Sequence, residues 1–365
     1  VFLAIRDIRN ARGRFALMGG VVALISLLLV LLSGLTAGLG NQSTSAIAGL
    51  GTGPGGTGVD RIAFGVPAGE KPSFTNSEVT AAQVEAWARQ PGVASAVPLG
   101  VSQTRLQSPG GTTNVAVFGV GTAASGTQAG LTPSSVRAGT VVLGKTAAKD
   151  LAVAVGDTVT VGGTTLRVGG IVADQWYSHT PAVWTTLPDW AKLSHAGSLA
   201  TVIAVTYDAG ASAAADAADA AGTVSTTRPG AFAALGGYTS EHGSLLMMQG
   251  FLYGISALVI VAFLTVWTVQ RTRDIAVLKA LGASGGYLLR DALVQAALVL
   301  VAGAGLGALV GVGGGLLAAT AAPFLLTPAT TLLPAAGIVL LGLAGAVLAV
   351  RNVTRIDPLI ALGGN

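Results

Sequence analysis

The sequence predicts an α-helical membrane protein with four transmembrane helices and an α+β extracellular domain inserted between helices one and two. Three observations predict it. Only 10% of the 365 residues are charged, against about 25% in ordinary soluble domains. Three windows, 15–59, 243–270 and 292–350, contain no charged residue at all. Ten of the 20 arginines and lysines collect on one side of those windows, as loop cations do on the cytoplasmic side of a membrane.

A bilayer span needs roughly 20 apolar residues. The first two windows hold one span each, at about 15–39 and 245–269. The third holds two, at about 292–319 and 333–350, with Pro323, Pro328 and Pro334 punctuating the turn between them. The implied domains are a basic segment and first span (1–40), an extracellular domain (41–244), a second span (245–270), a cytoplasmic loop (271–290), two further spans (291–350) and a tail (351–365). Arg6, Arg9, Arg12 and Arg14 precede span one; Arg271, Arg273, Lys279 and Arg290 fill the loop; Arg351 and Arg355 follow span four. Both termini and the loop are therefore expected in the cytoplasm. Span one is too long for a signal-peptide core and is flanked by arginines, so it reads as a retained anchor.

The extracellular segment carries ten cations and twelve acids. Residues 41–45 can continue span one as a helix, and the glycine-rich stretch 49–58 reads as a loop. A strand is expected at 61–66 and a capped helix opening at 75–80 and running to Arg89, where Pro91 and Gly92 stop it. Short β-branched runs at 94–98, 113–119, 140–143, 158–161, 164–172 and 202–207 read as strands, with Gly162 and Gly163 as a hairpin turn. The alanine-rich stretch 211–221 reads as a second helix.

Several function classes fall away. Cysteine is absent, which removes disulfide scaffolds and thiolate zinc sites. His179, His195 and His242 have no metal-ligand spacing, and no catalytic constellation is visible, so neither a metal centre nor an enzyme is expected. The cations mark span ends and form no aromatic-interleaved stripe, so no nucleic-acid partner is expected. Residues 139–146 match the phosphate-loop pattern G-x-x-x-x-G-K-[ST], with Asp174 posing as its acidic partner. The order is wrong, because the strand-like residues lie inside the motif. A strand, a turn and a short helix explain it.

Residues 270–284 read Q-R-T-R-D-I-A-V-L-K-A-L-G-A-S. This resembles the coupling loop of the MacB/FtsX/LolC-type (type VII) ABC transporter permeases, with Asp274 where the family usually has Glu. The segment 75–93, the L-G … L-x-x-x-x-G-D-x-V … V-x-G-I series over 143–172 and the R-x-D-P-x-x-A-L tail at 355–362 are similar to the family as well. The resemblance implies a permease subunit that forms a homodimer with two copies of a cytoplasmic ABC ATPase, the ATP being hydrolysed by that partner. In the loop it implies that Ile275, Leu278 and Leu281, on a short amphipathic helix ended by Gly282, enter a groove of the ATPase. The basic Arg271, Arg273 and Lys279 hold that helix at the membrane surface, and Asp274 belongs to the same coupling motif.

The amino end, F-L-A-I-R-D-I-R with S-G-L-T-A-G-L-G-N closing span one, looks like the HrtB haem-export permeases and their DevC-like relatives. That resemblance implies haem as the substrate, with no resident cofactor. Haem needs an apolar slot and an axial ligand, and Tyr238, Glu241, His242, Met247 and Met248 at the outer mouth of span two are the candidates. Interface anchoring and packing are the plain alternatives for each of them. The segment 176–179, ending in His179, is a second candidate, its alternative being a packed loop. Gly34 and Gly38 form G-x-x-x-G in span one, a candidate dimer face, and Gly303, Gly307, Gly311 and Gly315 repeat the pattern in span three. No charge lies mid-membrane, which points to an amphiphile moving laterally in contact with membrane lipid rather than to an ion path. MacB-like export of lipoprotein, peptide or drug, and FtsX-like signal transmission to an extracellular hydrolase, are the competing functions.

Overall fold

A computed structural model describes residues 12–52, 58–67, 69–121, 136–194, 197–208, 210–211, 221–270, 277, 282 and 284–354. The chain divides into two compact units, one formed by residues 1–39 with 243–365 and the other by residues 40–242.

The first unit holds the four apolar helices. Helix α1 (Arg12–Ala48) is continuous over 37 residues. At 1.5 Å per residue it is about 55 Å long, well beyond the ~30 Å hydrocarbon thickness. Its last turns belong to the second unit. The other three spans are α5 (Tyr238–Gln270), α6 (Gly285–Ala318) and α7 (Pro328–Thr354). All four are long and apolar enough to cross a bilayer.

Local chemistry sets the helix starts. Ser284 caps α6 by accepting the Tyr287 N–H. Thr327 and Thr330 cap α7 reciprocally: the Thr327 hydroxyl takes the Thr330 N–H at 3.1 Å and the Thr330 hydroxyl takes the Thr327 N–H at 2.9 Å. Pro328 then occupies the first helical position, where a missing N–H costs nothing. The sequence starts this span at about 333, but the helix begins earlier, at Pro328, and keeps Pro334 inside it. The cap supplies the start signal that the proline count obscures.

The glycines of α6 explain its packing. A Cβ on Gly307 would strike the Ala23 carbonyl of α1, and one on Gly303 would meet the Gly19 carbonyl at 2.8 Å. At this close approach the Ser26 hydroxyl of α1 donates to the Ala304 carbonyl at 2.9 Å. In hydrocarbon, where polar groups have no water to bind, such small-residue contacts hold helices together.

The second unit is an α+β domain. It contains β1 (Arg61–Phe64), α2 (Ala81–Ala88), β2 (Val93–Ser108), β3 (Gly111–Val120), β4 (Thr140–Gly144), α3 (Lys145–Asp150), β5 (Thr158–Val161), β6 (Thr164–Val172), β7 (Trp176–Tyr177), β8 (Thr180–Thr186), α4 (Leu187–Ser194), β9 (Val202–Tyr207) and β10 (Val224–Thr227). The strand order is β10-β1-β9-β2-β3-β8-β4-β6-β5. Strand β5 then returns to β2 through Leu106↔Val161 and Gln107↔Thr160. Strands β2, β3, β8, β4, β6 and β5 thus close a ring, and β9, β1 and β10 extend from the first half of β2.

Three cores follow from this topology, one of them joining Val84 and Trp87 of α2 to Ala63, Ile203 and Val205 of the sheet; the other two are larger. Leu106, Val117, Val141, Leu143, Val161 and Val168, among others, pack into one around the ring strands, with Trp190 of α4. Gly100 and Gly119 lie against the Trp190 ring, where any Cβ would collide. The other core packs Ile62, Phe64, Leu99, Phe118 and Trp184 around Ala46, Ile47 and Leu50 at the end of α1. Burial of that last stretch is why the helix continues past the bilayer.

Strands β5, β6 and β9 fall at the expected residues, and Gly162 and Gly163 turn the hairpin with φ of +52° and +85°. Helix α2 starts later than the sequence suggests. Thr80 caps it in a reciprocal box with Gln83, while Ser77 and Val79 are drawn into the sheet region by bonds to Thr201 and Ala200. The expected helix at 211–221 lies mostly outside the described residues. The phosphate-loop mimic is strand β4 and helix α3, as the plain reading has it. Asp174 accepts from the Thr146 N–H and hydroxyl, both at 2.8 Å, and so ties down the first turn of α3.

Candidate functional site

Strands β7 and β8 form a hairpin that pairs Tyr177 with Thr180, leaving Ser178 and His179 as its two-residue turn. Both have positive φ, +48° and +63°. Two such residues make a type I′ turn, which glycine and asparagine favour and serine and histidine do not. The turn is held from outside. The Ser178 N–H donates to the Ser43 carbonyl and the His179 N–H to the Gln42 carbonyl, each at 3.1 Å. The Ser45 hydroxyl accepts the Trp176 N–H at 2.9 Å. All three partners lie on the extension of α1. Behind the turn, the Tyr177 ring meets Phe74 and Phe118 edge-on, and burial pushes its phenol pKa well up.

The His179 imidazole makes the central contact. Its Nε2 lies 3.1 Å from the Ser43 hydroxyl and 3.0 Å from a carboxylate oxygen of Glu241. A carboxylate only accepts, so the Glu241 contact requires the proton on Nε2. Ser43 and Glu241 therefore share one nitrogen. This is not the arrangement of a nucleophilic triad, in which serine and carboxylate take opposite nitrogens of the ring. Glu241 stands in the first turn of α5, where the helix dipole favours a negative charge.

The structure thus merges what the sequence presents as two separate candidates. Segment 176–179 is a strand and a strained turn, not a loop, and it meets Glu241 across 62 positions. No local spacing signals that contact; only the topology creates it. Tyr238 packs against the core around the α1 extension, touches Phe232 edge-on and stacks on His242 at 5.2 Å. Its hydroxyphenyl ring therefore serves packing. His242 Nδ1 is enclosed and has no hydrogen-bond partner among the described residues. Met247 and Met248, on α5 within the helical unit, are 63% and 50% exposed. Among the described residues no cluster of three metal-ligating side chains occurs.

Gly34 and Gly38 lie against residues of their own chain. A Cβ on Gly34 would strike the Phe324 ring and one on Gly38 the Pro323 carbonyl, and the Leu325 N–H donates to the Gly34 carbonyl at 3.0 Å. Packing within one subunit accounts for this G-x-x-x-G. Of the loop residues, Arg271, Arg273, Asp274, Ile275, Leu278, Lys279 and Leu281 lie outside the described residues. Gly282 has φ of +94°, a left-handed conformation suited to a helix stop.

The family model of the MacB-like periplasmic core domain matches residues 15–222, and that of the FtsX-like permease C-terminal matches residues 246–358. The chain belongs to the MacB/FtsX family of ABC transporter permeases. The permease is a multi-pass protein of the plasma membrane. The protein described as hemin transport system permease HrtB, from two strains of Staphylococcus epidermidis, is 30% identical over 147 residues, which cover 40% of the permease and 41% of that protein. The permease therefore matches about two fifths of the length of these curated relatives. Among solved structures, the periplasmic region of MacB from Actinobacillus actinomycetemcomitans aligns with 16% identity and a TM-score of 0.35, over 50% of the permease and 92% of that chain. The extracellular domain of the transporter YknZ from Gram-positive bacteria aligns with 15% identity and a TM-score of 0.32, over 45% and 88%.

Proposed function

We propose that this permease is the membrane subunit of an ATP-driven exporter that removes haem from the membrane. The observation that supports the substrate is the 30% identity to the hemin transport permease over 147 residues. In this reading two copies of the permease pair with two copies of a cytoplasmic ABC ATPase. Loop 271–290 carries the stroke of that partner, and both termini face the cytoplasm. The homodimer remains part of the proposal, although Gly34 and Gly38 are already covered within one chain.

Haem is here the cargo. Of the five ligand candidates on α5, Glu241 is engaged by His179, Tyr238 by the core, and His242 is stacked on Tyr238 with its Nδ1 enclosed. Met247 and Met248 are the exposed pair, and thioethers are established haem-iron ligands. The proposal therefore rests its iron contact on Met247 and Met248. Haemin added to the detergent-purified permease should shift its Soret band, and a Met247→Ala/Met248→Ala variant should reduce that shift. An undiminished shift in the variant excludes the methionines. No shift in the unaltered protein, together with normal haemin tolerance of a deletion strain, overturns the haem reading in favour of another cargo or of signal transmission.

A further inference from the structure

We propose that His179 is a positioning residue that pins the β7–β8 hairpin between the extension of α1 and the first turn of α5, so that Ser43, the hairpin and Glu241 move as one piece. The assignment of a transport role rests on the export reading above; the pin itself rests on geometry alone.

Three observations carry it. First, one nitrogen, Nε2 of His179, touches Ser43 of α1 and Glu241 of α5 at 3.1 and 3.0 Å. Second, the residue sits where a histidine is conformationally disfavoured. With φ of +48° and +63°, the turn would close more easily as a glycine- or asparagine-containing pair. Strain of this kind persists only where surrounding contacts over-determine it. Here those contacts are the backbone bonds to Gln42 and Ser43 and the imidazole bridge. Third, the bonded residues Gln42, Ser43 and Ser45 occupy one short stretch of α1, and the hairpin continues directly into β8, a member of the strand ring. A displacement of either helix end is thus passed to the sheet through the turn.

The conformational oddity supplies the test. His179→Gly relieves the turn and removes the imidazole, so strain relief and loss of the bridge act in opposite directions in it. Full-length permease in lipid nanodiscs is followed by amide hydrogen exchange. The amides of residues 178 and 179 should lose about tenfold or more of their protection in the variant, while the melting temperature of the domain stays the same or rises. Protection within about twofold of the unaltered protein overturns the pin. In a strain where the unaltered gene confers haemin resistance, His179→Gly at normal membrane abundance should abolish that resistance; full resistance overturns the transport role. Where the unaltered gene confers no resistance, the haem reading fails by itself and the exchange measurement still decides the pin.

Discussion

Asp189 shows how much a single side chain in the domain is asked to do. It is almost fully buried. Burial pushes its pKa up, but the Gly139 N–H at 2.7 Å, the Thr186 hydroxyl at 2.8 Å and Lys192 at 3.4 Å outweigh this and hold the carboxyl below its ordinary range. A depressed folded-state value adds stability above the ordinary carboxylate pKa, and that stability is lost as pH falls through the folded value. The acid limb of domain unfolding should therefore flatten in Asp189→Asn, measured by thermal melts between about pH 2 and 5. Asp189→Ala leaves the Gly139 N–H without its acceptor and should cost about 1–3 kcal/mol at neutral pH. Lys192 is 68% exposed and contributes little of this. The same scale shows what a sequence hides. His179 and Glu241 are each visible as candidates, but their pairing is set by where a hairpin lands on a helix.

At the scale of elements, the contact between α1 and α6 depends on residues with almost no side chain. Gly307 faces the Ala23 carbonyl and Ser26, whereas Gly313 faces open space. Gly307→Val should force the helices apart and cost about 1–3 kcal/mol, with an earlier thermal transition in detergent. Gly313→Ala should leave the transition in place. Equal effects from both would mean that helix propensity, not close approach, governs α6. Elements bounded by clear punctuation are legible: β5, β6 and β9 begin and end where β-branched runs meet glycine or polar residues. Strand β2 is legible only as far as Pro98. Beyond it Leu99, Gly100 and Val101 are buried, but from Ser102 to Ser108 burial alternates along a polar run, and a half-buried polar strand gives little hydrophobic signal. Strand β8 is missed because Pro181 interrupts it near its start, and β10 because V-S-T-T carries few apolar residues.

For the whole molecule, the charge distribution made the four spans and the inserted domain readable, because a bilayer excludes charge far more strictly than a protein core does. Ring closure by β5 on β2 was not readable, since it depends on two residue pairs. The proposed orientation has a direct check in a chain that lacks cysteine. Cysteine in place of the exposed Glu85 should react with a membrane-impermeant maleimide in intact cells. Cysteine in place of the exposed Val277 should react only after permeabilisation. The reverse pattern would invert the topology and move the 271–290 loop away from any cytoplasmic ATPase.

Strand β2 has a consequence for how the domain can move. Its 16 residues, at about 3.3 Å each, extend roughly 50 Å. Its first half is laddered to β9 and its second half belongs to the ring. The two ladders meet at Leu99, which pairs with Val202 on one side and Val120 on the other. The strand is therefore a single tie common to both parts, and its Leu99 belongs to both ladders at once.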